Sequence, residues 1–128
     1  MLKPTRIVAT AVLATSLTAI GAGAAHAGDD VRRSGSCSGA TDWKIKAKPD
    51  NGRIEVEAEI DSNHNGQTWH WVLRHDGDVA DRGTSVTHGP SGSFEVRRRT
   101  DDGAGMDSFR FRAVNRATAE VCVARVAL

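Results

Sequence analysis

Two cysteines, Cys37 and Cys122, and four basic residues at strand spacing, His70, Arg74, Arg110 and Arg112, are the residues that could do chemistry in this 128-residue chain. Two thiols in a small exported chain pair as one disulfide, because an oxidising space leaves them no stable reduced form. The stretch Gly35-Ser36-Cys37-Ser38-Gly39 also has the G-x-C-x-G form of a nucleophile elbow. That device needs a helix behind the nucleophile and a base beside it, and no helical period follows. Asp61, Asn63 and Asn65 occupy the first three oxygen positions of the calcium pattern D-x-[DN]-x-[DN]-G, with Gly66 as the turn. Val72 stands where the bidentate Glu would be, so this is a weak metal candidate that turn propensity explains as well. His64, His70, His75 and His88 lack the spacing of zinc or copper ligands. The reading is non-enzymatic, with no metal and no cofactor.

Residues 1–27 carry the pattern of a secretory signal peptide: Lys3 and Arg6, an apolar run from Ile7 to Ile20, and Ala25-His26-Ala27 before Gly28. The apolar run is too short to span a bilayer, so no membrane span is expected after cleavage and the product is expected to be secreted. The segment removes two cations and no acid, leaving 15 basic against 16 acidic residues, a net charge of −1. A domain of that balance lacks the basic stripe of a nucleic-acid binder, so no specific nucleic acid is expected.

Elements that could position the four cations emerge from the alternation of apolar and polar residues in short runs, the pattern of an all-β domain over residues 39–128. A polar lead, 28–38, reads as flexible. Trp43, Ile45 and Ala47 alternate with Lys44, Lys46 and Lys48, and after Pro49-Asp50-Asn51-Gly52 the run Ile54, Val56, Ala58, Ile60 alternates with Glu55, Glu57 and Glu59. A two-residue Asn-Gly turn opposes Lys48 to Glu55, and a four-residue loop opposes Lys46 to Glu55; both pair unlike charges. Trp69, Trp71 and Leu73 then face one way and His70, Val72 and Arg74 the other. Two weak runs follow at about 79–82 and 84–88, and a run from Phe94 whose pattern breaks at Arg98, where the strand is expected to leave the core. Phe109, Phe111 and Ala113 alternate with Arg110, Arg112 and Val114, and the last run sets Cys122, Ala124, Val126 and Leu128 against Val121, Val123 and Arg125.

About seven antiparallel strands with an early Cys, a Trp on the third run and a late Cys fit a single immunoglobulin-like or fibronectin-type sandwich; a small five-stranded barrel is the alternative. The segments Cys37-Ser-Gly-Ala-Thr-Asp-Trp43, Asn65-Gly-Gln-Thr-Trp69, Trp71-Val-Leu-Arg-His-Asp76-Gly and Cys122 resemble small secreted actinobacterial proteins with no assigned activity. That resemblance implies a fold and an address, and carries over no site. In the sandwich topology the Lys, Glu and Arg stripes of the first, second and fifth runs neutralise one another. The other sheet exposes His70, Arg74, Arg110 and Arg112 among valines, a face with excess positive charge. A binding or accessory module is therefore expected, with an extracellular protein or an anionic cell-envelope polymer as partner. The alternative is an inhibitor of an extracellular hydrolase that presents the loop 101–107.

Overall fold

Period-two burial decides which side chains meet. Ile45 and Ala47, then Ile54, Val56, Ala58 and Ile60, then Trp69, Trp71 and Leu73, are each buried while their neighbours on the same strand point outward. Phe94, Val96, Phe109, Phe111, Ala113, Cys122, Ala124 and Val126 complete one core between two layers. The computed structural model describes residues 29–128, so the signal-peptide segment lies outside the described residues. Its strands are β1 (Val31–Ser36), β2 (Asp42–Asp50), β3 (Arg53–Asp61), β4 (Thr68–His75), β5 (Asp78–Val86), β6 (Ser93–Asp101), β7 (Ser108–Asn115) and β8 (Glu120–Ala127). They form two antiparallel sheets, ordered β1-β2-β3-β6 and β5-β4-β7-β8. The layers are not closed into a barrel, and the described residues contain no helix.

Two strands depart from the sequence pattern, for one physical reason. The lead expected to be flexible contains β1, which pairs along its whole length with β2, from Val31 opposite Ala47 to Ser36 opposite Asp42. The weak runs at about 79–82 and 84–88 are one continuous strand, β5, paired with β4 through a shift at Leu73/Arg74. Each holds a glycine beneath an indole. A Cβ on Gly35 would lie 2.5 Å from the Trp43 ring, and one on Gly83 would lie 2.6 Å from the Trp71 ring. The absent side chains make room for the two tryptophans and at the same time erase the apolar alternation that would have marked the strands. The count is thus eight strands rather than seven.

Arg98 is a further correction. β6 does not leave the core there but stays paired with β3 as far as Asp101 opposite Arg53, and Thr100 is buried again. At the open seam between β6 and β5, Arg98 donates from Nε to Asp81 Oδ2 at 2.6 Å and lies 5.2 Å from the centre of the Trp71 ring. The long side chain covers the ring face and keeps its charge in water. At the β2–β3 hairpin the two-residue turn is the one formed: Asn51 and Gly52 have φ of 52° and 80°, and Lys48, Lys46 and Lys44 stand opposite Glu55, Glu57 and Glu59.

The opposite seam is sealed covalently. Cys37, in the corner between β1 and β2, is bonded to Cys122 on β8 across 85 residues, so the bridge joins the edge of one sheet to the edge of the other. Hydrogen bonds from Ser38 N–H to the Val121 carbonyl, and from Thr41 to the Glu120 carboxylate, hold the same corner. Restricting the unfolded chain by a loop of that length stabilises the domain by about 4 kcal/mol. Replacing both cysteines with serine should lower the unfolding free energy by about that amount in urea titration. A loss under about 1 kcal/mol would show that the corner is held by its hydrogen bonds alone.

Candidate anion-binding face

On the outer side of the sheet β5-β4-β7-β8, register places arginines side by side. Arg74 on β4 is directly opposite Arg110 on β7, and Arg110 is directly opposite Arg125 on β8. In the next row Arg82, Val72, Arg112 and Val123 are opposite one another in turn, and in the row beyond stand Thr84, His70, Val114 and Val121. Neighbouring strands lie about 4.8 Å apart, so each arginine of the row is attached closer to the next than the roughly 8 Å screening distance of physiological salt. The outward positions of β4, β7 and β8 include no Asp or Glu. Among the described residues, Arg74, Arg82, Arg110, Arg112 and Arg125 form no ion pair.

The sequence-derived set divides in two. Arg74 and Arg110 line one depression of about 660 Å³ together with Arg125 and with Arg33, which reaches it from β1 of the other sheet. His70 and Arg112 line a second, of about 550 Å³, with Arg82 and Arg116. His70 Nδ1 is 3.1 Å from the Thr84 hydroxyl, a cross-strand contact that orients the ring. Arg125 was legible as an outward residue, but only the pairing of β7 with β8 sets it beside Arg110. Arg33 lay hidden in the lead read as flexible.

The outer face of the other sheet shows what a neutralised surface looks like. Arg97 bonds Glu57 at 2.8 Å and Glu95 at 3.2 Å, Lys46 lies 3.6 Å from Glu57, and Arg99 bonds Asp50 at 3.0 Å. Partial burial works to push the Glu57 carboxyl up, but Arg97 and Lys46 hold it below its ordinary value. Glu95 is raised, by burial first and then by the neighbouring charge of Glu57. Lysine, glutamate and arginine stripes alternate there, as the sequence led us to expect, although Glu59 stands opposite Glu95 and Asp42 opposite Asp61.

Asp61 and its neighbours form a connecting turn: Asp61 Oδ1 accepts from the Asn63 N–H at 3.1 Å, and Ser62 bonds to the Gly92 carbonyl. Val72, at the twelfth position of the calcium pattern, lies on β4 opposite Arg112. A tighter cluster sits at the far end of the sandwich, where His75, Asp76 and Asp107 bring one ligand-capable atom each within 4.8 Å of one another. Its bonds are spent on the fold. His75 stacks on Phe109 and bonds Asp107 Oδ1 at 2.7 Å; that oxygen also accepts from Gly103 N–H, and Asp76 Oδ1 accepts from Ser108. The backbone of Asp107 exchanges two hydrogen bonds with Leu128. The loop 101–107 is therefore anchored at a buried carboxylate while Met106 stands 75% exposed at its tip.

Comparison of the chain with protein-family models, with curated proteins and with solved structures gave no match.

Burial works against the Asp107 charge, but the bonds from His75 and Gly103 outweigh it and hold the carboxyl below its ordinary value of 3.8. A carboxyl lowered by folding contributes stability that is fully present above its unfolded value and is lost as pH falls through the lower, folded one. Asp107→Asn should cost about 1.5–3 kcal/mol at pH 7, the range for hydrogen bonds to a charged group. In denaturant titrations the gap between the two proteins should close as pH falls below about 3.8. A gap that stayed constant from pH 7 to pH 2.5 would show that shape, not charge, holds the loop.

Proposed function

We propose that this chain is a secreted, non-enzymatic β-sandwich module that binds an anionic polymer of the cell envelope through the outer face of β5-β4-β7-β8. The row Arg74–Arg110–Arg125, with no acid beside it, is the observation that carries the reading. Like charges directly opposite one another destabilise a sheet, so a folded domain retains such a row at a cost that a polyanion would offset. Two arginine-lined depressions on one face suit a ligand that repeats its charge. The secretory pattern of residues 1–27 supports export, and the disulfide is compatible with an oxidising space.

We infer further that the sandwich is of the immunoglobulin-like kind. The order β2-β3-β6 facing β4-β7-β8 corresponds to the A-B-E and C-F-G strands of such domains, with β1 and β5 added at opposite edges. The rival reading, an inhibitor presenting the loop 101–107 to a hydrolase, draws on the anchored base and exposed Met106. It leaves the arginine row unexplained, and the polymer reading is preferred for that reason.

The triple variant Arg74→Glu, Arg110→Glu, Arg112→Glu should lose at least tenfold in retention on isolated anionic cell-wall polymer. Retention of the wild type should fall steeply with added salt, because binding releases counterions. Undiminished retention of the triple variant, with its far-UV circular dichroism intact, would refute the reading.

A further inference from the structure

Resting on the polymer reading, we propose that the groove formed by Arg33, Arg74, Arg110 and Arg125 is a subsite for a phosphate ester group of the ligand. The groove lies where the two sheets meet. Arg33 is on β1, the edge strand of one sheet, and Arg125 is on β8, the edge strand of the other, at the seam that the Cys37–Cys122 bridge closes. In β1, Val31 and Gly35 share the inward side with Arg33, which is opposite Ile45. At an edge that side opens toward β8, so Arg33 joins the row Arg74–Arg110–Arg125 in lining one depression of about 660 Å³.

Nothing in the lining answers these four charges. It contains no acidic residue, and none of the four arginines makes an ion pair among the described residues. Arg74 donates to the Gly77 carbonyl and Arg33 to the carbonyl of Arg32. The Nε–H of Arg110, in the middle of the row, is shielded from solvent and has no acceptor at all. An N–H in that position is costly while it lacks an acceptor, and a turn of the Arg110 side chain toward the groove would let an incoming anion supply one.

The shape of the donor set selects the anion. A carboxylate is planar and is satisfied by one or two guanidinium forks in its own plane. Here the donors come from three neighbouring strands of one sheet and an edge strand of the other, so they cannot share a plane. A phosphate ester presents up to three terminal oxygens in a tetrahedral arrangement and up to two negative charges, which matches forks converging from several directions. The chemistry is the same whether the group belongs to a polymer or is free in solution, and the probes below separate the two.

The disulfide-intact protein would be titrated with inorganic phosphate, with glycerol 1-phosphate and with acetate at matched ionic strength, while the arginine Nε–Hε signals are followed by NMR. Both phosphates should give saturable shifts at Arg110 and Arg125, at least tenfold tighter than acetate. Arg125→Gln should weaken glycerol 1-phosphate at least fivefold. Lys48→Gln, which removes a positive charge from β2 of the other sheet, outside both depressions, should leave it within twofold. Unchanged backbone signals of Trp69 and Phe111 show that each variant is folded.

Acetate binding as tightly as phosphate, or Lys48→Gln weakening binding as much as Arg125→Gln, would overturn the subsite. Inorganic phosphate binding while glycerol 1-phosphate is excluded would overturn the ester and leave a free-anion site. If the triple Glu variant loses polymer retention and phosphate shows no preference over acetate, the subsite fails and the polymer reading stands. Selective phosphate binding with unaffected retention of that variant fails the polymer reading instead.

Discussion

The arginine face exists because large side chains are buried behind it. Trp69, Trp71 and Leu73 on β4, Phe109, Phe111 and Ala113 on β7, and Cys122, Ala124 and Val126 on β8 occupy the inward positions of three neighbouring strands. A slip of one residue in any of these pairings would turn indole and phenyl rings into water and guanidinium groups into the core. Burying one such ring is worth about 2–3 kcal/mol, more than a pair of opposed like charges costs. Register is therefore dictated by the core, and the charges on the outside must accept the neighbours it gives them. The disulfide reinforces the choice, since Cys122 reaches Cys37 only from an inward position.

How differently the two outer faces meet that constraint is informative. On β2, β3 and β6 the sequence supplies lysines, glutamates and arginines in alternating stripes, and the core-imposed register brings mostly unlike charges together, Glu59 opposite Glu95 and Asp42 opposite Asp61 being the exceptions. On β4, β7 and β8 it supplies arginines, His70, hydroxyl residues and small or branched apolar residues at outward positions, with no acid, so the same kind of register brings like charges together. Stability alone would favour a glutamate in place of Arg110. The face is instead left as a positive patch on a domain with slightly more acid than base, which suits a surface that acquires its counter-charges from a partner.

Most of this could be read from the chain, and the failures share a cause. Wherever alternation was unbroken, as from Ile54 to Ile60 or from Phe109 to Val114, the strand, its inward face and its sheet follow from the residue types. Gly35 and Gly83 defeated that reading because their contribution is the absence of a side chain against Trp43 and Trp71. Arg98 defeated it because a cation on an inward position looks like the end of a strand unless the seam beside it is known to be open. Arg74, Arg110 and Arg112 were visible as outward cations, whereas Arg125 and Arg33 joined them only through pairings between distant segments. The bond between His75 and Asp107, residues far apart in the chain, was out of reach for the same reason.

The central claim is that the core forces unneutralised arginines into adjacency on this face. The melting temperature of Arg125→Gln, compared with the wild type at low and at high salt without any polyanion, tests it most directly. Arg125 is exposed, so the substitution removes charge with little packing. Relief of cross-strand repulsion is worth about 0.2–1 kcal/mol, or about 1–8 °C in a domain of this size. The account predicts a higher melting temperature for the variant at low salt and no difference at high salt. A variant that melts lower than the wild type at low salt would contradict it.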